Sequence, residues 1–401
     1  MKVMRILWTC VSGHSHFYNV APLAFAAKEH GHEVAFSTAL EAAPMVEAAG
    51  FPLLASGPGR IRLRTEMKRS YPQEMSGALL DWHAGARLFG EIAPARRWEQ
   101  LLDVVRAYRP DVIVSEALEL AGPLVAKLTG IPHLFHSIGP YHADSLALLW
   151  ERARPLYERH LGTGITLEDI VEPYIDICPP ALQTSEGKAL GHRVLVGLRA
   201  YHGAVFATPV PDEPAERPRV LVTFGTVSNA VVQDYRAAAE ALAEHGMAVT
   251  LTLGPRGWFS SATGPRAPGT QQTSPGRVRT VDFAPLNTEL PTTSVLVHHG
   301  GSNTTRAGIE WGVPMLVIPQ GPEQYRNARW AEQHGLGRVL TPDEAMPANV
   351  VHHVAELARD QAVRQRLAEA KKAWLAMPGP DAVLKQIESL VRTMMTKGKA
   401  R

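Results

Sequence analysis

Short apolar runs rich in β-branched residues alternate along this chain with longer alanine- and leucine-rich stretches. The runs are MRILWTCVS near the start, GHEVAFST, VIVSEAL and GIPHLF, then PRVLVTFGT, AVTLT, TSVLVHHGG and GVPMLV. Runs of that length read as buried strands, and the stretches between them carry helical spacing, so strand follows helix throughout. Such alternation predicts an α/β protein with parallel sheets. An internal similarity sharpens the picture. EHGHEVAFS (Glu29 to Ser37) and EHGMAVTLT (Glu244 to Thr252) each follow an alanine-rich helix, and each places a glycine, Gly31 or Gly246, where a helix end needs a left-handed backbone. GIPHLF from Gly130 and GVPMLV from Gly312 repeat the same order of helix-ending glycine, proline and strand.

The two series of strands open at MRILWTCVS and at Pro218, and the segment between them, TPVPDEPAERP (Thr208 to Pro218), has four prolines and no apolar periodicity. It reads as a semi-rigid linker. The expected organisation is therefore a first α/β domain over residues 1–208, a second over 219–375, and a terminal helix over 376–401 that either stays with the second domain or crosses back to the first. Parallel sheets place ligands outside the carboxyl ends of their strands, so two such domains are expected to face one another across a cleft.

Composition mainly removes alternatives. The 401 residues are 45% hydrophobic and 20% charged, with 41 basic and 39 acidic residues spread along the chain, which suits two packed domains and gives no nucleic-acid footprint. Cys10 and Cys178 stand far apart and without metal-site spacing, in keeping with a reducing cytoplasm. The amino-terminal apolar run leads into polar histidines rather than a cleavage site, and no run is long enough for a membrane helix.

The most informative stretch is VHHGGSNTTRAGIEWGVPMLVIPQGPEQ, Val297 to Gln324. TSVLVHHGG predicts a strand and SNTTRAGIEWG a helix, so His299 to Thr305 fall at the strand-to-helix turn. Free backbone N–H groups and the positive end of a helix dipole suit a phosphate there. Gly300 and Gly301 allow close approach, Ser302, Thr304 and Thr305 add hydroxyl donors, and His299 offers a hydrogen bond or a positive charge. The plainer reading is a Ser or Thr N-cap behind a flexible turn. The paired histidines lack further ligands nearby, which argues against a metal.

These motifs, with VDFAPL (Val281 to Leu286), RPDVIVSEALELAGPLVAKLTGIP and VLVTFGTVSN, resemble the nucleotide-sugar glycosyltransferases of GT-B fold that decorate natural products in actinobacteria. The resemblance spans nearly the whole chain. It implies two Rossmann-like domains, the first for the acceptor and the second for the donor. For the donor it implies a diphosphate held by His299, Ser302, Asn303, Thr304 and the backbone from Gly301. Gly225 and Thr226 then face that diphosphate, Phe283 stacks on a pyrimidine whose edge Ala284 reads, and Glu323 and Gln324 take sugar hydroxyls. Glu323 stands where relatives commonly have Asp. Many relatives carry at position 307 a glutamate for ribose hydroxyls. This chain has Ala307, which points to a thymidine rather than a uridine diphosphate sugar.

In such enzymes a histidine opening the first helix deprotonates the acceptor. Gly13-His14 matches the family wording, but counting back along the helix from Gly31 selects His16, with Ser15 and Asn19 as departures from the usual loop. Glu116, ending the strand VIVSE, is the expected carboxylate that orients the imidazole. Phe17, Tyr71, Trp82 and Phe89 are the candidate contacts for a hydrophobic aglycone; His83, His133, His136 and His142 are not singled out by their spacing. The implied reaction is a metal-independent displacement with inversion, without a cofactor beyond the sugar nucleotide co-substrate, and the chain contains no Asp-x-Asp pair. A homodimer is compatible with this reading. A nucleotide-sugar epimerase or a non-catalytic sugar-nucleotide-binding protein would share the phosphate turn. A dehydrogenase would need Gly-x-Gly-x-x-Gly, which neither first turn supplies.

Overall fold

The structure, a computed structural model, describes residues 3–73, 82–201, 203, 217–225, 232–254, 272–273 and 278–399. The chain forms two compact units, Met1–Arg199 with Ala373–Arg401, and Ala200–Lys372. The terminal segment thus groups with the first unit. Most of the proline-rich stretch lies outside the described residues.

The first unit is built on six strands, β1 (Arg5–Thr9), β2 (Glu33–Ser37), β3 (Val112–Glu116), β4 (His133–His136), β5 (Tyr174–Asp176) and β6 (Arg193–Leu195), in the order β2-β1-β3-β4-β5-β6. All neighbours run parallel. The centre of the sheet is buried on both faces, which explains why β1 and β3 read as continuous apolar runs rather than alternating ones. Leu7 packs with Ala35 and Ile113 against Leu101 and Val105 of the helix Ala93–Tyr108 and Ala121 and Val125 of the helix Ala121–Thr129. Register puts Thr9 beside Ser37 and Ser115, and Glu116 beside His136, so the polar residues of the strands gather at one edge. The last helix, Pro380–Lys399, packs against this unit. Glu388 on it lies 3.2 Å from Nε2 of His32, whose Nδ1 accepts the Met4 N–H.

The second unit has seven strands: β7 (Arg219–Thr223), β8 (Ala248–Thr252), β9 (Gln272–Thr273), β10 (Val278–Val281), β11 (Val295–His298), β12 (Met315–Val317) and β13 (Gly337–Val339), ordered β13-β12-β11-β7-β8-β10-β9. Only β9 is antiparallel among these pairs. The internal repeat has the geometry expected of it. Gly31 and Gly246 adopt φ of 82° and 87° after their helices, and Gly130 and Gly312 adopt 67° and 71°, conformations closed to most side chains.

Candidate functional site

In the first unit the helix His14–Glu29 starts directly after β1, with Gly13 as its N-cap. It brings His16 to the carboxyl edge of the sheet, where Nδ1 lies 3.1 Å from Oε1 of Glu116. The carboxylate is fully buried, whereas the imidazole keeps 11% of its surface open. Glu116 also accepts the N–H groups of Val11 (3.4 Å) and Leu118 (3.2 Å), which fix its direction. An imidazole whose Nδ1–H faces a carboxylate keeps its Nε2 lone pair for a proton. The ring of His14, two residues earlier, meets Tyr18 edge-on at 5.5 Å, and burial pulls its pKa down to about 4.

The floor of this edge is a buried ionic network that the sequence did not announce. Glu119 accepts the Thr9 hydroxyl (2.6 Å) and the N–H groups of Ala121 and Gly122, capping the helix that follows, and lies 3.4 Å from Arg97. Arg97 in turn donates to the carbonyls of Cys10 and Ser37 and to the Ser56 hydroxyl. It therefore ties the ends of β1 and β2 together. Breaking a buried pair of this kind typically costs about 3–5 kcal/mol. Ser12, Thr38, Ser56, Leu63, Phe89, Arg97, Leu118 and Glu119 line a cavity here.

The four expected acceptor contacts separate. Phe89 lies on a stretch, Arg87–Ile92, wound wider than an α-helix, a form that recurs at functional sites, and its ring stands 6.1 Å from that of His16. Tyr71 is half-buried and donates its hydroxyl to Glu91 at 2.6 Å. Trp82 is buried, with its indole N–H on the Ser145 carbonyl. Phe17 is 0% exposed and packs on Phe36 and Phe51 at 4.9 and 6.4 Å, so it belongs to the core, not to a pocket wall. One helical residue beyond His16 turns roughly 100° away from it. The buried series Phe17, Val20, Ala21 and Ala24 is the signal that identifies that face.

In the second unit β7 and β11 lie side by side, and Thr223 pairs with His298 at their carboxyl ends. Just beyond, Gly225 and Gly301 close on the ring of His299. A Cβ on Gly225 would lie 2.6 Å from Cε1, and one on Gly301 2.5 Å from Nε2. Only glycine fits at either place. Burial lowers His299 to about 4, an effect offset in part by the backbone of Thr223, so of the two roles open to it the unliganded protein has the neutral imidazole. His298 is buried more deeply, with its Nδ1 accepting the Gly300 N–H at 3.1 Å. The two rings stand 6.4 Å apart at 87°.

The helix begins at Ser302, so Ser302 to Thr305 are its first turn rather than the loop before it, and Gly301 is the N-cap without a side-chain capping bond. The plainer reading of a Ser or Thr cap therefore does not hold. Ser302 donates to Glu323 (2.5 Å), and Asn327 spans from the Gly300 carbonyl (2.8 Å) to the Ser302 hydroxyl (3.2 Å). Gln324 accepts the Gln320 N–H at 2.7 Å. Asn303 donates to the Tyr201 carbonyl and accepts from Arg306, so its side chain braces the helix as well as standing near the turn. Thr304 is buried, Phe283 half-buried and Ala284 buried. Thr226 lies outside the described residues.

Comparison with known proteins bears on the family and the fold. Two family models match the chain: "Erythromycin biosynthesis protein CIII-like, N-terminal domain" over residues 25–225, and the corresponding C-terminal domain over 265–390. The chain belongs to this family of GT-B natural-product glycosyltransferases, and it is a sugar-transferring enzyme. Similar proteins include the aclacinomycin-T 2-deoxy-L-fucose transferase of Streptomyces galilaeus, 26% identical over 96% of both chains. The L-demethylnoviosyl transferase of Streptomyces niveus is 29% identical over 98% of this chain and 99% of its own. In fold, the chain matches the Streptomyces sp. SF2575 glycosyltransferase SsfS6 in complex with thymidine diphosphate, with a TM-score of 0.75 and 23% identity over 96% of this chain and 99% of that one.

Proposed function

We propose that the enzyme transfers a deoxysugar from thymidine diphosphate to a hydrophobic natural-product acceptor, with inversion and without a metal. The observation that carries the acceptor half is the 3.1 Å pair between His16 and the buried carboxylate of Glu116. His16 takes the acceptor proton on Nε2, and Glu116 steadies the imidazolium that forms. The activated oxygen attacks the anomeric carbon from the side opposite the diphosphate. That carbon passes through an oxocarbenium-like state, and the sugar–phosphate bond breaks with its electron pair leaving on the nucleotide.

Charge developing on the leaving diphosphate is the main electrostatic demand. The uncapped N-terminus of the helix Ser302–Trp311, equivalent to roughly half an elementary charge, supports its binding. Gly225 and Gly301 let the diphosphate approach, and a bound anion would draw His299 back towards its protonated form. Thr226, Ser302, Asn303 and Thr304 complete the phosphate contacts in this reading, with Phe283 and Ala284 at the base and Glu323 and Gln324 at the sugar. Tyr71, Trp82 and Phe89 are proposed to shape the acceptor site. The thymidine preference is supported by Ala307, which is fully buried and offers ribose no carboxylate, and by the nucleotide named with SsfS6.

The test is turnover with thymidine and uridine diphosphate sugars in excess chelator. Undiminished transfer from the thymidine donor supports the reading. Activity restored only by a divalent ion, or a preference for the uridine donor, contradicts it.

A further inference from the structure

Arg306 sits on the helix Ser302–Trp311 and is only 4% exposed. Its Nη2 donates to Oδ1 of Asn303 at 2.6 Å, which draws the guanidinium back along the helix to its first turn. Nε and Nη1 are buried and have no hydrogen-bond partner among the described residues. Glu310, one turn on, is the opposite charge that acts on it, but Oε2 of that carboxylate accepts the Ala200 N–H at 2.8 Å. Burial lowers the Arg306 pKa to about 10, so it stays charged at neutral pH.

A residue needed only to pack this helix would be apolar here, and one needed only to hold Asn303 against the Tyr201 carbonyl would not require a guanidinium with two buried nitrogens unpartnered. We infer that Arg306 is a donor-positioning residue whose buried charge holds the diphosphate end of the sugar nucleotide at the first turn of this helix. The inference rests on the donor site proposed above. The free N–H groups at the helix start make short-range contacts, and the cation behind them adds a field that solvent screens only weakly. Glu310 offsets that charge from one turn away without a hydrogen bond to Nε or Nη1, and the diphosphate adds a counter-ion on binding. Arg306 thereby serves donor affinity at some expense to the stability of the empty protein.

Two substitutions test this, Arg306→Met, which keeps the length without the charge, and Arg306→Lys, which keeps the charge without the fork. Binding of thymidine diphosphate and of thymidine is measured by calorimetry for each, with the melting temperature of the empty protein beside it. Arg306→Met should weaken the diphosphate about tenfold or more while leaving thymidine nearly unchanged. Its melting temperature should equal or exceed that of the wild type, and Arg306→Lys should recover most of the affinity. An unchanged diphosphate affinity, or an equal loss for thymidine, overturns the inference. If Arg306→Met does not fold, Arg306→Lys with wild-type stability but a tenfold weaker diphosphate would contradict the role given to charge, and near-wild-type binding would support it. His299→Ala in the same titration separates the two readings: loss there with Arg306→Met unaffected ends this inference alone, whereas no loss in either ends the donor-site reading itself.

Discussion

His16 and His299 both stand at the carboxyl edge of a parallel sheet, His16 in the first turn of the helix after β1 and His299 directly after β11, and their surroundings make them chemically different. His16 faces a buried carboxylate and keeps a tenth of its surface open. His299 is enclosed between Gly225 and Gly301, and burial pulls it down to about 4. The first arrangement favours an imidazole that accepts and then bears a proton. The second favours a neutral ring that contacts an anion without already carrying its charge. The strand-to-helix edge fixes where a histidine stands, and the residues packed on it decide what it does.

The largest expected effect is on transfer itself. Removing a positioned general base costs roughly 10²- to 10⁴-fold, so His16→Ala should lose single-turnover transfer on that scale. His14→Ala, which removes a ring packed edge-on against Tyr18, should stay near the wild type. The reverse order would move the base by two residues. Next comes Glu116→Gln, which keeps the shape of the side chain and removes its charge. Neutralising the carboxylate behind a catalytic imidazole lowers turnover by up to roughly 10⁴-fold, so transfer should fall at least about tenfold with nucleotide affinity intact. An undiminished rate would mean that the pair does not serve the proton.

The smallest effect is on stability and follows from burial alone. His14 and His299 are held near 4 and His133 near 3, all by desolvation. Their native pKa values lie below the unfolded value of about 6.5. Below that pH the unfolded chain binds protons that the native protein refuses, so their contribution is fully present above about pH 6.5 and is lost as pH falls towards the native values. Each imidazole should steepen the loss by about 1.4 kcal/mol per pH unit. Urea denaturation between pH 7 and pH 5 should show the slope, and His133→Asn, outside both sites, should lessen it by one such share. An unchanged slope would show that His133 is not buried neutral.

What could be read from the sequence was whatever local spacing encodes. The alternation of strand and helix in each half, the glycine-ended helices and the turn after β11 follow from apolar runs and from residues that tolerate a left-handed backbone. His16 was selected by counting along a helix, and the structure sets it against Glu116. What could not be read depends on contacts between distant segments. Arg97 bridges strand ends by way of Cys10, Ser37 and Ser56, and Gly225 meets a ring 74 positions later only because β7 and β11 are neighbours. Phe17, expected at the acceptor, packs instead on Phe36 and Phe51, because neighbouring positions on a helix face different ways and its own face points into the core.

The claim that two similarly placed histidines do different work is tested most directly by measuring donor affinity and transfer at saturating donor in His16→Ala and His299→Ala. A crossed result is expected. His16→Ala binds thymidine diphosphate as the wild type does and fails in transfer, whereas His299→Ala binds it about tenfold more weakly and transfers far faster than His16→Ala once donor is in excess. If His16→Ala loses nucleotide affinity, or if His299→Ala fails in transfer as completely as His16→Ala with its affinity intact, the division of labour drawn from their surroundings is wrong.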